Sequence, residues 1–196
     1  MALDDIHFFK EGAQMRFTTG LLLAALLAPQ AHAELIDDVS DRNELRIAVQ
    51  ADTAPYAFQD EDTLVGFEIE LGAMIADELD VHASFIKADD SDLLSGVESG
   101  KYDIALDHIA PTPALRERLD FSTAYGPSSL PPVAIPFQKG NAAFQAGLDN
   151  ALTRIRNDGR LASLTAKWFP TQVTQASALT LPAPPVPAPP QATQAH

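Results

Sequence analysis

The chain contains no cysteine. That excludes a disulfide framework, a thiol nucleophile and any Cys-ligated zinc or iron–sulfur centre. Basic residues are scarce, with 13 Lys and Arg against 27 Asp and Glu, so the net charge is −14. A surface of that sign repels phosphate backbones, and no nucleic-acid partner is expected. Apolar runs are short of the roughly 20 residues a membrane-spanning helix needs. Between Glu34 and Pro170 the only histidines are His82 and His108. With acids scattered around them, a metal centre is not expected. There is no G-x-S-x-G elbow. The run from Gly96 to Lys101 is one residue short of a P-loop, and Tyr102 stands where Ser or Thr would follow. No cofactor motif and no enzyme chemistry are therefore expected; His108 beside Asp107 is the one acid–base pair worth testing.

What is present divides into three parts. In residues 16–33, Arg16 precedes an apolar run from Leu21 to Leu27, and Ala31-His32-Ala33 closes it. Positive charge, short apolar run and small-residue site in that order read as a secretory signal peptide cleaved after Ala33. Met15 lies immediately before Arg16, so the biological start is read as either Met1 or Met15. Removing residues 1–33 leaves 11 basic and 24 acidic residues, a charge of −13. At the other end, residues 171–196 are rich in Pro, Ala, Gln and Thr, with six prolines between Leu181 and Pro190. Proline removes amide donors and fixes φ, so an extended, disordered tail is expected there. The folded part is residues 34–170, long enough to bury a core without a staple.

Within it, Leu45–Val49, Val81–Lys87 and Tyr102–Leu106 read as strands, and Ala54–Asp62 as an aromatic-bearing loop. Phe67, Leu71, Met74, Ile75 and Leu79 share one face of a helix that Gly66 precedes. Glu68 and Glu70 suit the first-turn dipole of that helix. Further helices are expected over Asp92–Glu98, Pro113–Arg118, Phe144–Arg156 and Leu161–Phe169, with an irregular strand in Leu130–Phe137. Strands alternating with helices imply an α/β layer with a mostly parallel sheet. Ligands of such sheets sit at strand carboxyl ends, here Gln50–Phe58, Ala88–Asp92 and Asp107–Thr112.

Four stretches in order resemble the family 3 extracytoplasmic solute-binding proteins, the receptors of amino-acid and cystine-type ABC importers. They are Pro55-Tyr56-Ala57-Phe58 with Leu64 to Leu71; Leu93-Leu94 with Ser99-Gly100-Lys101-Tyr102-Asp103; Thr112-Pro113 with Leu119-Asp120-Phe121-Ser122 and Tyr125; and Ile135 to Asn141 with Asp158-Gly159 and Lys167-Trp168-Phe169. The resemblance covers about Glu44 to Pro170. It implies a periplasmic-binding-protein type II fold, whose two lobes close on a ligand. Here Ala134 follows Tyr125 by only nine residues. The second lobe has no room, the junction falls near residues 126–132, and a single Rossmann-like lobe is expected.

The implied pocket departs from the family's. The arginine that holds a ligand carboxylate falls on Leu115, with Arg116 one residue late and so rotated by about 100° on a helix. The stacking aromatics fall on Thr53 and Asp90. The small hydroxyl position falls on Ala110, preceded by Asp107 and His108. Tyr56, Phe58 and Thr112 keep the family's residue type. The candidate ligand-binding set is thus Thr53, Tyr56, Phe58, Asp90, Asp107, His108, Thr112 and Arg116. The function expected is periplasmic binding of a small polar solute, such as an amino acid, weakly or through a homodimer, with an ABC permease as partner. The alternative is a non-transport interaction module, with self-association or a partner near Leu130–Phe137, where the missing lobe would have left apolar surface.

Overall fold

The structure, a computed structural model, describes residues 34–126 and 132–170. The expected signal segment and cleavage site, the Pro-rich tail and residues 127–131 of the expected junction lie outside the described residues. The described residues begin with α1 (Leu35–Arg42) and β1 (Glu44–Val49), followed by three short strands, β2 (Asp52–Thr53), β3 (Ala57–Asp60) and β4 (Thr63–Val65). Then come α2 (Phe67–Glu78), β5 (His82–Lys87), α3 (Asp90–Glu98), β6 (Ile104–Leu106), α4 (Pro113–Arg116) and β7 (Leu119–Phe121). The described residues close with β8 (Pro136–Gln138), α5 (Ala142–Asn157) and α6 (Arg160–Trp168). None of the described helices is long and apolar enough to cross a membrane.

Five strands form the main sheet in the order β5-β1-β6-β8-β7. β5, β1 and β6 run parallel, but β8 is antiparallel to both of its neighbours. The sheet is therefore mixed, which corrects the mostly parallel sheet expected from strand–helix alternation. The reason lies in the junction. β7 and β8 pair as two arms of one returning connection, Leu119 opposite Gln138 and Phe121 opposite Pro136. A return without a crossover helix pairs antiparallel. Beyond the strand ends the arms stay joined: Ser122 N–H donates to the Ile135 carbonyl (3.0 Å), and Tyr125 N–H donates to the Val133 carbonyl (3.1 Å).

Side-chain alternation sorts the core onto two faces. Leu45, Ile47 and Val49 of β1, with Ile104 and Leu106 of β6, face α1, α2, α5 and α6, where they meet Val39, Leu71, Ile75, Phe144 and Leu148. Ala48 and Ala105 point the other way, toward Leu93 and Val97 of α3 and Tyr102. The described residues thus form one lobe, with helices on both sides of one sheet.

Three expectations need correcting locally. Ala54–Asp62 is not a plain loop, because β3 pairs antiparallel with β2 and β4, Phe58 opposite both Asp52 and Val65. Among the described residues of Leu130–Phe137 only Pro136 and Phe137 are strand. Ala134, Ile135, Pro136 and Phe137 are also buried, so the described part of that segment offers no exposed apolar strand. The N-terminal helix α1 was not foreseen; it buries Leu35 and Val39 under the sheet.

Buried Asp103, in the Ser-Gly-Lys-Tyr-Asp run, clamps the start of β1. Its carboxylate accepts from the Arg46 N–H (2.7 Å), the Arg46 guanidinium (2.7 Å) and the Arg42 guanidinium (2.7 Å). The hydrogen bond to Asp103 raises the Arg46 pKa further above its usual value. This motif residue is structural and lies away from the strand carboxyl ends.

Candidate functional site

The carboxyl ends of three parallel strands come together. Val49 is opposite Lys87 of β5 and Leu106 of β6, so residues 50–53, 88–90 and 107–108 leave the sheet side by side. That is the crevice position where open α/β sheets bind ligands.

The first wall is the segment Thr53–Phe58. Gly66 fixes it to α2. At φ 136° and ψ 173° Gly66 occupies a region essentially reserved for glycine, and a Cβ there would lie 2.1 Å from the Tyr56 carbonyl oxygen. This close approach lets the Tyr56 carbonyl accept from the Glu68 N–H (2.9 Å) and the Pro55 carbonyl accept from the Phe67 N–H (3.0 Å). Two amides that the helix start leaves without intrahelical partners are thereby satisfied. Tyr56 packs against Phe67 and Phe169, and the His108 ring stands edge-on to it at 84°. Burial, and then the Glu68 carboxylate, push the Tyr56 phenol upward.

Glu68 lies at the centre. It projects from the first turn of α2 on the same face as Leu71 and Ile75 and is only 1% exposed. Its Oε1 accepts from the His108 N–H (2.9 Å) and from the hydroxyl of Tyr125 (2.8 Å). Its Oε2 is buried without a partner. Burial raises the Glu68 pKa above the usual carboxylate range, against the pull of His108 and the two hydrogen bonds. Tyr125 is held well above its usual value, first by its own burial and then by Glu68; it is a neutral donor.

His108 follows β6 at φ 49°, in the left-handed region. That turn breaks the strand alternation, so the side chains of His108 and Asp107 both reach toward Glu68. His108 Nδ1 lies 3.9 Å from Glu68 Oε1 and 3.9 Å from Asp107 Oδ1. In the sequence the two histidines are far apart and the acids dispersed, which predicts no metal centre. The fold instead converges one donor atom each from Glu68, Asp107 and His108 within 4.8 Å of one another.

Of the eight residues singled out from sequence, Tyr56, Asp107 and His108 are brought together here. Asp90 is exposed and accepts from the Gln50 amide (3.1 Å) at the neighbouring strand ends. The Thr53 hydroxyl donates to Asp52 (3.1 Å). Phe58 is turned edge-on to Trp168, 6.0 Å between ring centroids. The Thr112 hydroxyl is occupied as the cap of α4, accepting from Leu115 N–H (3.3 Å). Arg116 is exposed, its guanidinium 5.4 Å from the Phe121 ring centroid. It lies against Phe121 of the α3-side core and forms no ion pair with the Glu68 cluster among the described residues, as its one-residue offset implies. Glu68 and Tyr125 are absent from the candidate set: Glu68 suits the helix dipole, and Tyr125 stands in the third motif. The signal for Glu68 was its place three and seven residues before Leu71 and Ile75, on an otherwise apolar helix face.

An acidic and aromatic cluster thus lies at the strand carboxyl ends of an α/β lobe, the position at which such sheets place small ligands. Residues 45–171 match the model of the bacterial extracellular solute-binding proteins, family 3, and the chain belongs to that family. The family is one of extracellular binding proteins. The chain is 27% identical over 128 residues to the L-cystine-binding protein TcyJ of Escherichia coli, covering 62% of this chain and 47% of that protein. It is 28% identical over 86 residues to the arginine-binding extracellular protein ArtP of Bacillus subtilis, covering 44% and 34%. The chain thus spans less than half the length of these curated relatives. Among solved structures, it resembles an ancestral amino-acid-binding protein described as a precursor of cyclohexadienyl dehydratase (TM-score 0.65, 18% identity, 70% of this chain and 100% of that one). It also resembles the arginine-bound form of domain 1 of the arginine-binding protein TmArgBP (TM-score 0.57, 24% identity, 60% and 98%). Almost the whole of that single domain is matched, in agreement with a one-lobed fold.

Proposed function

We propose that this chain is a periplasmic, one-lobed solute-binding protein that takes a small polar solute, foremost an amino acid with a free cationic group, at the carboxyl ends of β1, β5 and β6. The observation that carries the reading is the alignment of those three strand ends around the Tyr56–His108 wall, on a fold whose isolated single domain is known in an arginine-bound form. Asp52, Asp90 and Asp107 give the crevice negative charge, which favours an ammonium or guanidinium group over a bare carboxylate. With one jaw the ligand is only half enclosed, and affinity rests on burial. Binding is therefore weak, or completed by a second copy in a homodimer. Residues 1–33 act as the extension and signal peptide in this reading, residues 34–170 as the lobe and residues 171–196 as a tail. An ABC permease is the partner that the family's role supplies.

A thermal-shift and equilibrium-dialysis series with arginine, lysine, cystine and glutamate tests this. A saturable rise in melting temperature with the cationic amino acids, larger than with glutamate, is expected. No shift with any of them at millimolar concentration would overturn it.

One observation favours a second reading. No guanidinium reaches the described crevice, since Arg116 packs over Phe121, so the usual bidentate grip on a carboxylate is missing. A lobe retained as an interaction module would show no small-molecule shift, and a specific protein partner would be retrieved with it.

A further inference from the structure

We infer that Glu68, Asp107 and His108 form a binding site for a divalent first-row transition-metal ion of the zinc, cobalt and nickel type. Each offers one ligand atom, and the three lie within 4.8 Å of one another. One imidazole nitrogen with two carboxylates is a donor set that such ions accept. Two donors on one tetrahedral ion sit about 3.3–3.6 Å apart, given metal–ligand bonds of about 2.0–2.2 Å. The separations of 3.9 Å from His108 Nδ1 to Glu68 Oε1 and to Asp107 Oδ1 need only a small contraction. Asp107 and His108, each about a quarter exposed, can supply it.

A second observation points to the same place. Among the described residues two side-chain polar atoms are buried without a hydrogen-bond partner, Glu68 Oε2 and His108 Nε2, and both belong to this cluster. A buried carboxylate oxygen without a donor is costly. Glu68 cannot turn to water, because its Oε1 is held by Tyr125 and by the His108 amide while the residue is 1% exposed. A cation gripped by both oxygens of Glu68 and by His108 Nδ1 supplies what Oε2 lacks. Asp107 and His108 are partly exposed, so water or a small ligand can reach the remaining coordination positions. The left-handed turn at His108 is what makes the convergence possible, because it places two successive side chains on one side of the chain.

This inference does not rest on the amino-acid reading and is tested without amino acids. The full chain is stripped with chelator and titrated with zinc chloride by calorimetry. Cobalt(II) serves as a spectroscopic probe, and magnesium as the control. One zinc per chain, a rise in melting temperature and visible cobalt bands of nitrogen–oxygen coordination are expected, with no response to magnesium. His108→Gly removes the imidazole and suits φ 49°, so it keeps the fold; circular dichroism checks this. It should abolish the cobalt bands, and Asp107→Asn should weaken zinc at least about tenfold. Failure of zinc to saturate by about 1 mM, or unchanged affinity in His108→Gly, which would mean an ion held elsewhere on the chain, overturns the site.

Discussion

Tyr125 donates its hydroxyl hydrogen to Oε1 of Glu68 across 2.8 Å. One residue closes the β7 arm at the junction and the other opens α2, 57 positions away. The bond therefore holds the site's central carboxylate against the segment where the chain turns back.

Tyr125→Phe deletes that donor and leaves the packing of the ring in place. Loss of one hydrogen bond to a buried acceptor costs about 1–2 kcal/mol. Urea denaturation should show a lower midpoint with an unchanged m-value.

Gly66→Ala tests the close approach between α2 and the Tyr56 segment. The backbone conformation alone costs a non-glycine residue about 1–3 kcal/mol, and the new Cβ meets the Tyr56 carbonyl. A fall in melting temperature is expected, together with a changed Tyr56 environment in near-ultraviolet circular dichroism.

Asp103→Ala strips the shared acceptor from Arg42, Arg46 and the Arg46 amide. The two guanidinium groups are about a third exposed and rehydrate, but the Arg46 amide loses its carboxylate. A loss of about 2–3 kcal/mol is expected by chemical denaturation. Solute binding should weaken no more than the folded fraction falls.

Glu78 governs an acid-side effect away from the site. Hydrogen bonds from Arg160, and then from Arg154, hold its carboxyl below the usual value. A depressed carboxylate contributes stability above its unfolded pKa, and that contribution disappears as pH falls through the folded value. Melting temperature should therefore decline below about pH 4.3, with a shallower slope in Glu78→Gln.

Arg116→Ala removes a cation that lies over Phe121. If the strand-end crevice takes the solute, ligand-induced thermal shifts should be unchanged by this substitution and reduced by Asp107→Asn.

Much of this arrangement was legible in the sequence, for identifiable reasons. The 3.6-residue spacing of Phe67, Leu71 and Ile75 marked α2, and apolar runs marked β1, β5 and β6. The order of motifs around Tyr125 and Ala134 marked one lobe. Strand direction was not legible, because the antiparallel course of β8 comes from its pairing with β7 and not from local pattern. Short β2–β4 hid in a segment of mixed turn and aromatic residues. The convergence of Glu68 with His108 was invisible for a related reason. It depends on a separation of 40 positions in the chain and on a left-handed backbone turn that histidine only sometimes adopts.

The zippered arms of β7 and β8 also carry an architectural consequence. Their pairing fixes where the polypeptide leaves this body and where it re-enters, from Phe121 opposite Pro136 out to Tyr125 and Val133. Whatever length of sequence is spliced at that gateway, the strands behind it can keep their register. An insertion at that one point lengthens the connection while the lobe behind it keeps its pairing.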